Sequence, residues 1–186
     1  MRIIGGRLRG LILAPVGLGD AAAHLRPTSD RVRESLFNLL QNGRGADPVP
    51  GARVLDLFAG TGALGLEALS RGALHATFVD DGSIARGLLR DNIARAKAAG
   101  EATLYRRDAT DLGENRGGVF TLIFLDPPYG KGLGERALAS ARAGGWMAPG
   151  AVVAWEETAP MAPPQGFTLR DHRRYGDTVL TLLDAL

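Results

Sequence analysis

The chain has 186 residues, 45% hydrophobic and 23% charged, a size and balance that suit one globular domain with a short appendage. It has no cysteine, which excludes disulfides and thiolate metal sites and fits a cytoplasmic protein. The net charge of +2 is unevenly placed: residues 1–45 carry seven arginines against three acids, and the remainder is slightly acidic. That asymmetry leaves two readings open, a polyanion docking on the basic side or a solvated arginine-rich surface.

Residues 1–14 alternate around Gly5-Gly6 and Gly10 and read as a short hairpin or extended arm. Met1 to Gly6 is interrupted too quickly to read as a signal peptide. Residues 15–27 are loop, broken by Pro15, Gly17, Gly19 and Pro27. A helix is expected from Thr28-Ser29-Asp30, which supply N-cap chemistry, with Val32, Leu36, Leu39 and Leu40 as its apolar face. Residues 42–52 look like a linker, so the chain divides into a basic arm and helix, 1–45, and a main domain, 46–186.

From Arg53 strands and helices alternate. Strands are expected at Val54–Phe58, Ala76–Val79, Ala102–Arg106, Val119–Leu125 and Ala151–Trp155. Helices are expected at Gly62–Ser70, Ser83–Ala99 (ended by Gly100) and Leu133–Ala143. This order implies an α/β fold, a Rossmann-like doubly wound and mostly parallel sheet with right-handed crossovers. Phe167–Arg174 and Thr178–Leu183, joined at Tyr175-Gly176-Asp177, predict an antiparallel C-terminal hairpin at the sheet edge. No apolar run approaches the ~20 residues that span a bilayer. The three histidines are scattered without metal-binding spacing, so no metal site is expected.

Gly60-Thr61-Gly62-Ala63-Leu64-Gly65 follows the first expected strand and opens a helix, the context in which G-x-G-x-x-G binds a nucleotide-type ligand. Glycines there let the backbone approach a ligand and leave helix N–H groups free to meet it. Asp80, 18 residues after Gly62, stands where an acid would grip ribose hydroxyls. Asp56 lies inside the motif at the strand end, where a carboxylate suits the amino acid portion of S-adenosylmethionine and would repel a pyrophosphate. Asp108-Ala109 follows the third strand, where an acid can accept an adenine amine.

The fourth strand runs into Asp126-Pro127-Pro128-Tyr129. Asp126 and the Pro127 carbonyl can accept hydrogen bonds from an exocyclic amine, and Tyr129 can stack on a ring. The plainer alternative is a strand ending in a Pro-Pro turn capped by Asp. Asp56, Asp80, Asp108 and Asp126 all end successive strands at the edge where open α/β sheets bind ligands.

With D-x-F-A-G-T-G at residues 56–62, an acid after the second strand and D-P-P-Y after the fourth, the chain resembles class I S-adenosylmethionine-dependent methyltransferases acting on exocyclic amines. Arg2 to Gly6 with Arg9-Gly10, the run Arg26 to Glu34, and Gly62 to Gly72 narrow this: the chain is similar to the RsmD-type 16S rRNA guanine-N2 methyltransferases. The Arg174 to Asp177 turn also fits.

The resemblance implies that Asp56, Phe58, Ala59, Gly60, Thr61 and Gly62 hold the methionine part of S-adenosylmethionine and that Asp80 binds its ribose. It further implies that Asp108 and Ala109 face its adenine and that Asp126, Pro127, Pro128 and Tyr129 hold the target guanine. Asp81 joins the cofactor set, although Gly82 stands where the family often has an acid. Arg2, Arg7, Arg9, Arg26, Arg31 and Arg33 are candidates for RNA phosphates or for capping the cofactor pocket. The implied partner is small-subunit rRNA, naked or in a ribosomal subunit, and the implied state a monomer. Two rival functions remain at this stage. An adenine-N6 methyltransferase would use the same lip. An NAD-dependent oxidoreductase would use the same glycine loop, although no Tyr-x-x-x-Lys hydride-transfer pair is present.

Overall fold

A computed structural model describes residues 1–16 and 29–186. The expected N-cap residue Thr28, the loop breakers Gly17, Gly19 and Pro27, and Arg26 lie outside the described residues. The elements are α1 (Asp30–Asn42), β1 (Arg53–Leu57), α2 (Ala63–Ser70), β2 (His75–Val79), α3 (Ser83–Arg95), β3 (Ala102–Tyr105), β4 (Phe120–Leu125), α4 (Leu133–Ala143), β5 (Met147–Glu157), β6 (Phe167–Tyr175) and β7 (Thr178–Ala185).

They build one seven-stranded sheet in the order β3-β2-β1-β4-β5-β7-β6. The first five strands run parallel, and β7 pairs antiparallel with both β5 and β6. This is the expected doubly wound α/β architecture. Successive strand residues point to opposite faces, so each strand feeds two cores. Val54, Phe78, Leu122 and Phe124 pack with Leu36, Leu66 and Leu89 of α1, α2 and α3 on one face. Leu55, Leu57, Val79 and Ile123 pack with Ala137, Leu138 and Ala141 of α4 on the other. Strands buried on both faces explain the near-continuous apolar runs in the sequence.

The strand order reverses between β1 and β4. There Leu57 pairs with Leu125, so Phe58 and Asp126 leave neighbouring strands about 5 Å apart.

Several element bounds differ from expectation. Helix α3 stops at Arg95 rather than Ala99, because Lys97 takes a left-handed φ of 52° and the Ala98 N–H turns back to the Ile93 carbonyl. Strand β5 runs past Trp155 to Glu157, because β7 supplies partners for both added residues: Glu156 opposite Leu180 and Glu157 opposite Val179. The C-terminal hairpin forms as expected around Gly176-Asp177, but its second strand inserts beside β5 and leaves β6 at the edge. The buried face of α1 is Arg33, Leu36, Phe37 and Leu40; Val32 and Leu39 are only half-buried.

The N-terminal arm is a hairpin, with Ile3 and Leu11, Ile3 and Gly10, and Leu13 and Met1 joined by backbone hydrogen bonds. It docks on α2. The N–H groups of Ile4 and Gly5 donate to the two carboxylate oxygens of Glu67, each at 2.8 Å, and the Leu8 N–H donates to Ser70 Oγ at 2.8 Å. Ile3 and Leu13 enter the same apolar cluster as the sheet. Among the described residues no helix is long and apolar enough to cross a membrane.

Candidate active site

At the carboxyl end of β1 the chain leaves the strand through Phe58, whose φ of +60° is unusual for a residue with a side chain and marks a tightly determined turn. The Ala59 N–H then bonds the Val79 carbonyl at 3.0 Å, tying the loop to β2. Gly62 takes a φ of +77° at the N-cap of α2, where an added Cβ would lie 2.2 Å from Leu89 Cδ1. Only glycine meets both conditions. Gly65, one turn on, faces the sheet so closely that a Cβ would lie 2.3 Å from the Phe78 ring.

That close approach lets the Gly65 N–H reach Asp56 Oδ2 at 2.9 Å. Asp56 is 1% exposed. Burial, reinforced by the nearby Asp80 charge and opposed by the Gly65 hydrogen bond, leaves its carboxyl pushed up to about 8.

Asp80, directly after β2, accepts the Gly60 N–H at 2.9 Å on Oδ2 and the Gly82 N–H at 2.8 Å on Oδ1. Burial raises its pKa, and those two bonds oppose the shift. Each oxygen keeps a lone pair for a ligand hydroxyl. Gly82 is the N-cap residue of α3, and nothing in the structure explains why glycine rather than an acid stands there. Asp81 is exposed, and its carbonyl accepts a hydrogen bond from Arg86. Asp108 is exposed beyond β3 and accepts from the Thr110 N–H and hydroxyl, each at 2.7 Å, while Ala109 is buried.

The Asp126–Tyr129 lip leaves β4 beside this loop. Pro127 is buried, and Asp126, Pro128 and Tyr129 are half-buried. The Tyr129 hydroxyl donates to Glu156 Oε1 at 2.6 Å, and the Gly130 N–H donates to Glu157 Oε1 at 3.0 Å. Burial first, and Glu156 next, raise the Tyr129 phenol far above its ordinary range, so it stays a neutral donor. Among the described residues no cluster of three or more histidine, aspartate or glutamate side chains gathers as metal ligands would.

The arginines divide. Arg9 and Arg31 are exposed. Arg2 is exposed but lies 3.9 Å from Asp30, and Arg7 is bonded to Glu101. Arg33 corrects the expectation of an RNA contact. It is fully enclosed, bonded to Asp30 at 2.8 Å and to the Arg2 carbonyl, and 3.6 Å from the equally buried Glu67. No phosphate can reach it.

With this geometry in place, comparison with known proteins becomes specific. A protein-family model described as conserved hypothetical protein 95 matches residues 1–184. Ribosomal RNA small subunit methyltransferase D of Escherichia coli K12 is 42% identical over 154 residues, covering 82% of this chain and 72% of that protein. The chain belongs to this family, the RsmD type. The Haemophilus influenzae protein of the same name is 34% identical over 181 residues, covering 95% and 89% of the two chains. A solved Escherichia coli structure, described provisionally as a methyltransferase, superposes with a TM-score of 0.81 at 35% identity, over 100% of this chain and 97% of that one.

Family membership makes the chain a methyltransferase with the class I fold. The oxidoreductase alternative falls with it.

Four functional candidates escaped the sequence reading. Glu67 anchors the arm, and Asn92, fully buried on α3, holds the Thr61 carbonyl at 2.8 Å. Glu156 and Glu157 brace the lip. For the last pair a signal existed, since acids at strand ends had already marked β1, β2 and β4. Nothing in the local pattern distinguished Glu67 or Asn92 from a surface helix residue.

Proposed function

We propose that this chain transfers a methyl group from S-adenosylmethionine to the exocyclic N2 of a guanine in small-subunit (16S) rRNA. One observation carries the reading. Buried Asp56 on β1 and half-buried Asp80 just after the neighbouring β2 stand behind the glycine loop, and the Asp126–Tyr129 lip leaves β4 beside β1, where the strand order reverses. Two neighbouring carboxyl groups with acceptor oxygens beside the glycine loop suit a ligand bearing an ammonium and hydroxyl groups, and a cationic ligand would draw Asp56 into its ionised form, so the donor set fits this cofactor. The names of the Escherichia coli and Haemophilus influenzae relatives support small-subunit rRNA as the substrate.

Bound S-adenosylmethionine supplies an electrophilic methyl group. Asp56, Phe58, Ala59, Gly60, Thr61 and Gly62 hold its methionine part, Asp80 its ribose, and Asp108 with Ala109 its adenine; Asp81 lines the rim. Asp126 and the Pro127 carbonyl accept the N–H groups of the guanine amine. Those bonds favour a tetrahedral N2 and aim its lone pair, which is otherwise delocalised into the ring. Asp126 is also placed to take the proton that N2 sheds. Pro128 stiffens the lip, and Tyr129 stacks on the base, which must leave its own stack to enter. Most of the rate gain comes from positioning and electrostatics. Exposed Arg9 and Arg31, with Arg2 and Arg7, meet RNA phosphates. The chain acts as a cytoplasmic monomer.

The test is incubation with methyl-labelled S-adenosylmethionine and either naked 16S rRNA or small ribosomal subunits, followed by nucleoside mass spectrometry. N2-methylguanosine is the expected product. N6-methyladenosine would overturn the guanine assignment. Asp126→Ala should lower turnover by more than about a hundredfold while cofactor binding persists; full activity would remove the mechanism.

A further inference from the structure

We infer that Glu156 is a positioning residue for the base pocket: it sets the Tyr129 ring in the orientation that stacks on the target base. The inference rests on the base-holding role proposed for the lip.

The geometry comes from the unexpected length of β5. Pairing with β7 carries β5 to Glu157 and places two consecutive acids behind the lip. Both are almost fully buried, at 5% and 8% exposure. Ordinary strand ends do not bury two carboxylates without a reason, because desolvating them costs several kcal/mol unless hydrogen bonds compensate. Here the compensation is directed at the lip. Glu156 accepts the Tyr129 hydroxyl at 2.6 Å, and Glu157 accepts the N–H of the next residue, Gly130, at 3.0 Å. Glu157 Oε2 also accepts the Thr158 N–H at 2.8 Å. Thr178, the first residue of β7, adds a side-chain contact to the same phenol.

Tyr129 is thus fixed at both ends. Its ring tip is held by Glu156 and its outgoing main chain by Glu157, while Pro127 and Pro128 restrict the backbone leading into it. A tyrosine ring has only two side-chain torsions, so one strong bond at its tip removes most of its freedom before a base arrives. The benefit is preorganisation of a stacking platform rather than proton transfer, since the phenol remains a neutral donor. Glu156 lies beneath the tyrosine and acts through it.

The test is a double-mutant cycle on methyl transfer to RNA, using Glu156→Ala, Tyr129→Phe and the double variant, with Glu156→Gln as the conservative rescue. Cofactor affinity is measured in parallel by calorimetry. Each single variant should lower kcat/KM for RNA about tenfold, and the double variant should be no worse than either alone. Cofactor Kd should stay within about twofold, and Glu156→Gln, which keeps an acceptor oxygen, should recover most of the loss.

Additive losses would overturn the inference, as would a Glu156→Gln defect as large as that of Glu156→Ala. If Glu156→Ala does not fold, Glu156→Met, which keeps the side chain's bulk without a carboxylate oxygen, replaces it as the partner of Tyr129→Phe, with the same non-additivity expected. The cycle is read on whichever nucleoside the wild-type protein methylates. A different base with coupling intact would overturn the guanine assignment and leave this inference standing. Guanine methylation without coupling would do the reverse, and no transfer to any RNA would overturn both.

Discussion

Asn92 Nδ2 donates to the Thr61 carbonyl at 2.8 Å, and its Oδ1 accepts the Ala14 N–H at 2.7 Å. One fully buried amide on α3 therefore joins the glycine loop to the N-terminal arm. The two bonds use opposite ends of the amide, which lets them be separated. Asn92→Asp keeps an acceptor for Ala14 but puts a second oxygen against the Thr61 carbonyl. That variant should bind S-adenosylmethionine about tenfold more weakly, the loss of roughly 1–3 kcal/mol that follows when a buried acceptor goes unpaired. Calorimetric titration of wild type and variant measures it, and equal affinities would show that Asn92 does not shape the loop.

Asp56 should make both stability and cofactor binding depend on pH. Its folded pKa, about 8, lies far above the unfolded value of about 3.9. Between these limits the folded state holds a proton that the unfolded state has lost, so this group's contribution to stability declines as pH rises from about 4 to about 8. Asp56→Asn should flatten that decline, read as the difference in thermal midpoints between wild type and variant across pH 5 to 8. A cationic ligand beside Asp56 stabilises its ionised form, so binding S-adenosylmethionine near pH 7 should release a proton. Titrations in buffers of different ionisation enthalpy detect the release, and Asp56→Asn should abolish it.

Gly65→Ala should destabilise the protein by about 1–3 kcal/mol, the usual cost of forcing a methyl group into a packed interface. The new Cβ would meet Phe78 Cε1 at 2.3 Å and Asp56 Oδ2 at 3.1 Å. Urea midpoints measure the cost. A shift below a few tenths of a kcal/mol would mean that α2 moves off the sheet without penalty.

Glu67 holds two arm N–H groups and Arg71 Nε at 2.8 Å, with Arg33 beside it. Glu67→Ala removes the anion from a buried cluster and should cost about 3–5 kcal/mol. Amide exchange at Ile4 and Gly5 should quicken more than exchange in β4. Uniform acceleration across the protein would show that the arm has no separate anchor there.

The order of strands and helices was legible because its signals are local. Apolar runs of strand length, glycines at the β1–α2 turn and Ser29 at the start of α1 act within a few residues of themselves. Ser29 does cap α1, accepting the Val32 N–H at 3.2 Å. The strand-end acids were legible for a related reason: parallel strands bring their carboxyl ends to one edge whatever the side chains do, so Asp56, Asp80, Asp108 and Asp126 share an edge by topology alone.

Other features depended on residues far away in the chain. Arg33 and Arg31 are both arginines of a basic run, and only the packing of α1 against the arm and α2 buries one and exposes the other. The end of β5 is set by β7, more than twenty residues later, and Asn92 is matched to Ala14 across 78 positions. Spacing and residue type were enough to place the glycine loop, the acids and the lip in this family's pattern. Which polar side chains are withdrawn from water, and so must find partners and hold the site rigid, was decided by the assembled tertiary structure, because burial belongs to the neighbours a residue acquires on folding.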